Sequence, residues 1–201
     1  MIQQPLDLAF SRPLSFDDFI VGENEALLAR LKNLENDPPQ TGLYLAGPKG
    51  SGKTLLLQIL KAYHQDKVFC LDPLESWLAE HGELAVFALF NQLIDLGICP
   101  IFASEKLPDQ WGLTLPDLKS RLLWGSVYQV QPLDEKFYPE VLQKAAARAG
   151  MSLPPDVAHF LYTRMLRDLS ALPSLIAILS QASLESKRRL TVPFVKEVLG
   201  V

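Results

Sequence analysis

The chain has 201 residues, enough for one large domain or two small ones, and long enough to bury a core without disulfide support. Hydrophobic residues make up 48% and charged residues 21%, which excludes a disordered or collagen-like chain. A formal net charge of -4 argues against a protein that holds DNA by a basic face of its own.

Residues 1–14, with Pro5 and Pro13, show neither helical nor strand period and read as a flexible tail. Phe16 to Asn36 carries Ala26, Leu27, Leu31 and Leu34 at the spacing of an amphipathic helix, and Asp37-Pro38-Pro39 breaks it. Gly42 to Ala46 is a short apolar run, predicted as a buried strand. A glycine-rich loop from Gly47 to Gly52 follows, then a helix over Lys53 to His64. Val68 to Leu71 is a second buried strand ending at Asp72. Glu83 to Leu96 is a helix, and Pro100 to Ala103 and Val127 to Val130 are further strands. Strands alternating with helices predict an α/β fold with a parallel sheet covered on both faces. From Leu133 the pattern turns all-helical, over 134–149, 155–166, 170–186 and 192–199, with Asp134 and Thr191 as N-caps and Pro193 just inside the last helix. The expected domains are therefore 15–132 and 133–201. Cys70 and Cys99 lie in apolar runs and read as buried thiols in a reducing compartment.

Met1 is not followed by a basic and then an apolar segment, so no signal peptide is expected. The most apolar stretch, Leu84 to Ala103, is interrupted by Asn91, Gln92, Asp95, Gly97 and Pro100 and cannot span a bilayer. A cytoplasmic protein with no membrane partner is expected. His64, His81 and His159 are too scattered for a metal site. Trp77, Trp111 and Trp124 lack the interleaved basic residues of a base-stacking platform and read as core or interface.

Gly47-Pro48-Lys49-Gly50-Ser51-Gly52-Lys53-Thr54 fits G-x-x-x-x-G-K-[ST] at every position, after a predicted strand and at the start of a predicted helix. The glycines let backbone N–H groups turn inward around phosphates, and the helix N-terminus adds its dipole. Lys53 is placed to reach the β- and γ-phosphates of ATP or ADP, and Thr54 to hold Mg²⁺. Asp72, at the end of the next strand, is the candidate acid for the same ion. Many ATPases follow this Asp with a second acid; here Pro73 stands there, and it can neither polarise water nor coordinate metal. Glu75 points elsewhere on any short turn, unless a distorted loop brings it back. The site reads as one that binds nucleotide and hydrolyses it poorly.

Several segments together resemble the DnaA/Hda family of AAA+ proteins, most closely its shorter Hda branch. They are Phe16-Asp17-Asp18-Phe19-Ile20-Val21-Gly22, the P-loop with Leu55-Leu56-Leu57, and Cys70-Leu71-Asp72-Pro73-Leu74-Glu75. Leu115-Pro116-Asp117-Leu118-Lys119-Ser120-Arg121-Leu122-Leu123-Trp124-Gly125 and Leu190 to Glu197 complete the set. The resemblance implies an AAA+ parallel sheet flanked by helices and followed by a helical lid. Only a few residues separate His64 from Val68, so the sheet is expected to lack one strand–helix unit of that family. Val21, Gly22 and Leu55 join the P-loop as nucleotide neighbours in this reading. Arg121 matches the family's arginine finger, acting on nucleotide held by another chain, and its bland alternative is an ion pair with Asp117. Arg167 matches the sensor 2 arginine of the lid, its alternative being a surface helix arginine. Ser104-Glu105 falls at the sensor 1 position, where Glu105 departs from the usual Asp.

The tail resembles the family's sliding-clamp motif, Q-L-x-L-x-L, at Gln3, Leu6 and Leu8, with Gln4 a departure. A second register uses Gln4, Leu6, Leu8 and Phe10. Its alternative is a tail folded onto its own domain. The implied function is negative regulation of replication initiation. The chain would sit on the sliding clamp of DNA polymerase III at the nucleoid, reach DNA only through it, and stimulate ATP hydrolysis by DnaA. No DNA-reading domain follows the lid in this sequence, so direct origin binding is not expected. An ATPase working in its own oligomer and a non-catalytic adaptor are the competing readings, and self-association stays open.

Overall fold

The computed structural model describes residues 14–34, 41–165 and 169–201. Their contacts divide between Leu133 and Asp134 into an α/β unit and a helical unit. In the first, a 3-10 turn at Phe16–Asp18 precedes α1 (Glu25–Lys32), β1 (Leu43–Ala46), α2 (Lys53–His64) and β2 (Val68–Leu71). Then come α3 (Leu74–Asp95), β3 (Cys99–Ser104), α4 (Pro116–Trp124) and β4 (Ser126–Gln129). All pairings are parallel and the strand order is β2-β3-β1-β4.

Alternation along the central strand divides its side chains between two cores. Leu43 and Leu45, beside Ile101 and Ala103 of β3, pack with Leu27, Leu28 and Leu31 of α1 and Leu56, Ile59 and Leu60 of α2. Tyr44 and Ala46, beside Phe102, pack on the other face with Val86 and Phe90 of α3 and Leu118 and Leu122 of α4. Burial on both faces is why β1 and β3 read as unbroken apolar runs. Between α2 and β2 there is only the 3-10 turn Gln65–Lys67, so no strand–helix unit is inserted there and the described sheet has four strands.

The amino-terminal helix is shorter than its periodicity predicts. Asp18 turns back to accept from the Ser15 backbone N–H at 2.9 Å, and Gly22 takes a left-handed φ of +50°, so helix begins only at Glu25. Conversely α3 starts at Leu74, nine residues before the predicted Glu83, and bends at Gly82, whose φ of +80° interrupts it. Among the described residues no helix is long and apolar enough to cross a membrane.

The second unit holds α5 (Tyr138–Arg148), α6 (Pro155–Arg164), α7 (Leu172–Ser186) and α8 (Val192–Leu199). Leu142, Val157, Leu161, Leu179 and Val195 are buried in its own core. Asp134 accepts from the Lys136 N–H at 3.0 Å, and the Thr191 hydroxyl accepts from the Phe194 N–H at 3.4 Å, opening α8.

Both cysteines are free thiols. Burial pushes Cys70 up to about 12 and Cys99 up to about 11. The reactive thiolate is correspondingly scarce at pH 8. Alkylation of the native protein at pH 8 is expected to be more than about a hundredfold slower than that of an exposed cysteine. Both thiols should react at once in denaturant, as read by mass spectrometry of the labelled chain.

Candidate functional site

The P-loop hangs from the carboxyl end of β1. Gly47 N–H donates to the Ser104 carbonyl of β3 at 3.0 Å, and Val130 N–H donates to the Ala46 carbonyl at 2.6 Å, so the loop starts from a fixed sheet edge. Two glycines are required by space. A Cβ on Gly47 would stand 2.6 Å from the Val130 carbonyl oxygen. A Cβ on Gly52, at φ +93°, would stand 2.8 Å from the Phe19 ring. Gly52 then delivers the chain into α2, with Lys53 and Thr54 in the first turn.

Lys53 is buried, and its ammonium donates to the carbonyls of Gly47 at 2.6 Å and Pro48 at 2.9 Å. Burial pulls it below the ordinary lysine value, against the opposing pull of Asp72, Glu105 and Glu75. The Ser51 hydroxyl is buried inside the loop without a hydrogen-bond partner among the described residues. A buried cation, an unmatched hydroxyl, a helix N-terminus and glycines that clear the backbone are the features a polyphosphate needs, so these residues fit a nucleotide. The Thr54 hydroxyl donates to Asp72 Oδ2 at 2.5 Å. A hydroxyl and a carboxylate are hard oxygen donors, the set suited to Mg²⁺.

Asp72 directly follows β2, and α3 begins two residues later. The early helix start turns Glu75 back toward β3. Its Oε1 accepts from the Ser104 hydroxyl at 2.6 Å and from the Glu105 backbone N–H at 2.7 Å. Thus the acid that a short turn would have directed away reaches the end of β3, because helix geometry begins at Leu74. Ser104 Oγ in turn accepts from the Lys106 N–H at 3.0 Å. Tyr44, buried on β1, donates to the Lys106 carbonyl at 2.9 Å and accepts from Trp111 Nε1 at 2.8 Å. A continuous polar path therefore runs from the turn after Asp72 to the loop before α4.

Arg121 lies on α4 and shares neither a hydrogen bond nor a ring contact with the P-loop. Its guanidinium carbon lies 4.8 Å from the centre of the Trp124 ring and 6.0 Å from that of Phe90. It borders a groove of about 430 Å³ with Phe87, Asp117, Ser120 and Trp124. Among the described residues it makes no ion pair with Asp117, although the two are four residues apart on one helix. Val21 packs against the first core, as Leu55 does, and Gly22 passes close to Leu133. Arg167 lies outside the described residues, as do Gln3, Gln4, Leu6, Leu8 and Phe10.

Glu83, the first residue beyond the Gly82 bend, makes a set of contacts that sequence reasoning does not find. It accepts from the N–H and hydroxyl of Thr114 at 3.0 and 3.1 Å and from the Leu115 N–H at 2.6 Å, holding the chain at the start of α4. The only local signal is an acid following a glycine bend; its partners lie about thirty residues away.

A parallel sheet with a P-loop at its carboxyl edge, followed by a separate helical unit, defines a AAA+ protein with its lid. Domain III of Thermotoga maritima DnaA superposes with a TM-score of 0.76 at 19% identity, over 93% of this chain and 95% of that one. DnaA from Aquifex aeolicus, solved with AMPPCP bound, gives 0.60 at 20% identity over 88% and 68% of the two chains. The RuvB Holliday junction branch migration motor of Thermotoga maritima gives 0.62 at 20% identity over 95% and 72%. Residues 134–199 match the Hda lid domain family. An uncharacterized protein of Haemophilus influenzae is 33% identical over 228 aligned positions, spanning 99% of each chain. The alignment exceeds the 201 residues of this chain, so the relative carries internal residues that this chain lacks. The chain belongs to the Hda/DnaA-related family of AAA+ proteins.

Two measurements follow from this geometry. Lys53→Ala should raise the Kd for ADP or ATP roughly 10–100-fold, the cost of a lost charge-assisted hydrogen bond, with the circular dichroism spectrum unchanged. Glu83 is held below the usual carboxylate range, first by the Thr114 N–H and then by that of Leu115. A depressed folded value means that stability from Glu83 is present above its ordinary value of 4.5 and is lost as the pH falls below it. Glu83→Gln should therefore lower the Tm at pH 7, and the gap to wild type should close on titration below about pH 4.5.

Proposed function

We propose that this DnaA-related protein is a nucleotide-bound negative regulator of replication initiation, which supplies Arg121 to the ATP site of a DnaA-type initiator and so drives hydrolysis there. The observation that carries the reading is the state of Arg121. It is a partly exposed guanidinium on a helix whose start is tied down by Glu83, and no carboxylate claims it among the described residues. Arginine suits the role because its charge is permanent and its planar donors match phosphoryl oxygens. A finger supplied by a second chain raises hydrolysis by about 10³–10⁵.

In this reading the chain's own nucleotide, ADP or ATP with Mg²⁺, is held by Gly47, Pro48, Lys49, Gly50, Ser51, Gly52, Lys53 and Thr54. Asp72 supports the ion, and Val21, Gly22 and Leu55 complete the surroundings. The nucleotide supplies a structural charge rather than a reaction step. Two features support weak turnover in this chain: Pro73 occupies the position of the second acid, and one oxygen of Glu75 is taken up by Ser104 and the Glu105 N–H. The amino-terminal pattern Gln3, Gln4, Leu6, Leu8 and Phe10 supports docking on the polymerase III sliding clamp. A glutamine amide gives directional hydrogen bonds there and the apolar side chains fill a cleft. DNA is then reached only through the clamp, which would place the protein at the nucleoid in the cytoplasm.

The test is ATP hydrolysis by a DnaA-type initiator, in the presence of clamp loaded on duplex DNA, with this chain added. Wild type should stimulate, and Arg121→Ala should lose at least about 10³-fold of the stimulation while keeping its own nucleotide affinity. Equal stimulation by both proteins would sink the finger and leave an adaptor. No stimulation by either would sink the regulator.

A further inference from the structure

The geometry points to Trp124 as the positioning residue of the finger: its indole is the platform on which the Arg121 guanidinium is laid before any partner arrives. The inference rests on the reading of Arg121 given above and adds what sets its pose.

Arg121 and Trp124 are three residues apart on α4 and therefore neighbours on one helix face. Two rings flank the guanidinium, and they are unlike. Phe90, 6.0 Å away, is 2% exposed and belongs to the core beneath. Trp124, 4.8 Å away, is 64% exposed, the largest aromatic surface left in water among the described residues. Trp124 belongs to none of the core clusters of the described residues. The groove beside it is bordered by Asp117 and Ser120, yet Arg121 lies on the ring and not on the carboxylate. A guanidinium over an aromatic face uses its π surface and keeps its in-plane N–H donors available, whereas an ion pair would occupy them.

The backbone under Trp124 is fixed as well. It is the last residue of α4, and Gly125 after it is extended and passes so close to the loop that leads into β1 that a Cβ would stand 2.7 Å from the Gly42 carbonyl oxygen. The direction in which the Trp124 side chain leaves the backbone is thus set by the α4–β4 junction, and a tryptophan has only two side-chain torsions left to order. An unsupported arginine must give up its rotamer freedom when it meets a phosphate, and a platform removes part of that loss beforehand.

The experiment compares Trp124→Leu and Trp124→Phe with wild type and Arg121→Ala in the stimulated hydrolysis assay. Trp124→Leu should lower the maximal stimulated rate about tenfold, with little change in the concentration giving half stimulation, and Trp124→Phe should restore most of the rate. Stimulation by wild type and Trp124→Leu alike, with Arg121→Ala inactive, overturns the platform and leaves the finger standing. A Trp124→Leu defect confined to the half-stimulating concentration also overturns it, since the ring would then be an apolar contact with the partner. No stimulation by wild type overturns the finger and the platform with it. A second measurement needs no partner. The Arg121 side-chain protons should carry an upfield ring-current shift in the NMR spectrum of the isolated chain, kept in Trp124→Phe and lost in Trp124→Leu. Shifts that Trp124→Leu leaves unmoved would overturn the stacking itself.

Discussion

β1 is bonded to β3 on one side and β4 on the other, and all four of its residues are buried. A slip of one residue would exchange Leu43 and Leu45 for Tyr44 and Ala46 between two differently shaped cores, so its register is fixed by packing on both faces. Its carboxyl end is therefore the fixed point from which the loop Gly47–Gly52 is hung. The bonds from Gly47 to the Ser104 carbonyl and from Val130 to the Ala46 carbonyl tie that end to both neighbouring strands. Asp72 and Ser104 reach the same edge because parallel strands all end on one side, which is where α/β sheets gather their ligands.

α3 links this edge to α4 by two carboxylates. Glu75, in its first turn, grips Ser104 and the Glu105 N–H beside the P-loop edge. Glu83, just past the Gly82 bend, grips Thr114 and Leu115 at the start of α4. The bend lets one element present an acid to each site, and the chain of Ser104, Lys106, Tyr44 and Trp111 runs between the same two places. The buried Tyr44 hydroxyl is satisfied on both sides, and burial raises its pKa, so it stays a neutral donor throughout the physiological range. The P-loop edge and the start of α4 are thus tied into one hydrogen-bonded framework within the α/β unit.

Chemistry that is local in the chain is legible in the residues alone. The P-loop spacing, the strand before it and the helix after it, β2 ending at Asp72, and α8 with its Thr191 cap depend on contacts within a few residues, and their periodicities are strong. The four-stranded sheet is legible too, because three residues between α2 and β2 leave no length for another strand. Apolar spacing over Phe16 to Asn36 overdraws the first helix, since it does not register a left-handed Gly22. The first half of α3 escapes the same kind of reading because its bend at Gly82 breaks the apolar period. Arg167 and the pattern of Gln3, Gln4, Leu6, Leu8 and Phe10 lie outside the described residues.

Other features depend on which strands become neighbours. Glu75 meets Ser104, and Glu83 meets Thr114, across separations of about thirty residues that no local pattern encodes. Arg121 has two candidate partners within a turn, Asp117 and Trp124, and spacing on a helix permits both. In the fold Phe90, brought beneath α4 by the packing of α3, adds a second ring, and the guanidinium lies on the aromatic side. The sequence by itself determined that a phosphate loop, its acid and an arginine-bearing helix exist. The sheet order decided which of their side chains meet, because residues distant in the chain become neighbours only once β3 lies between β1 and β2.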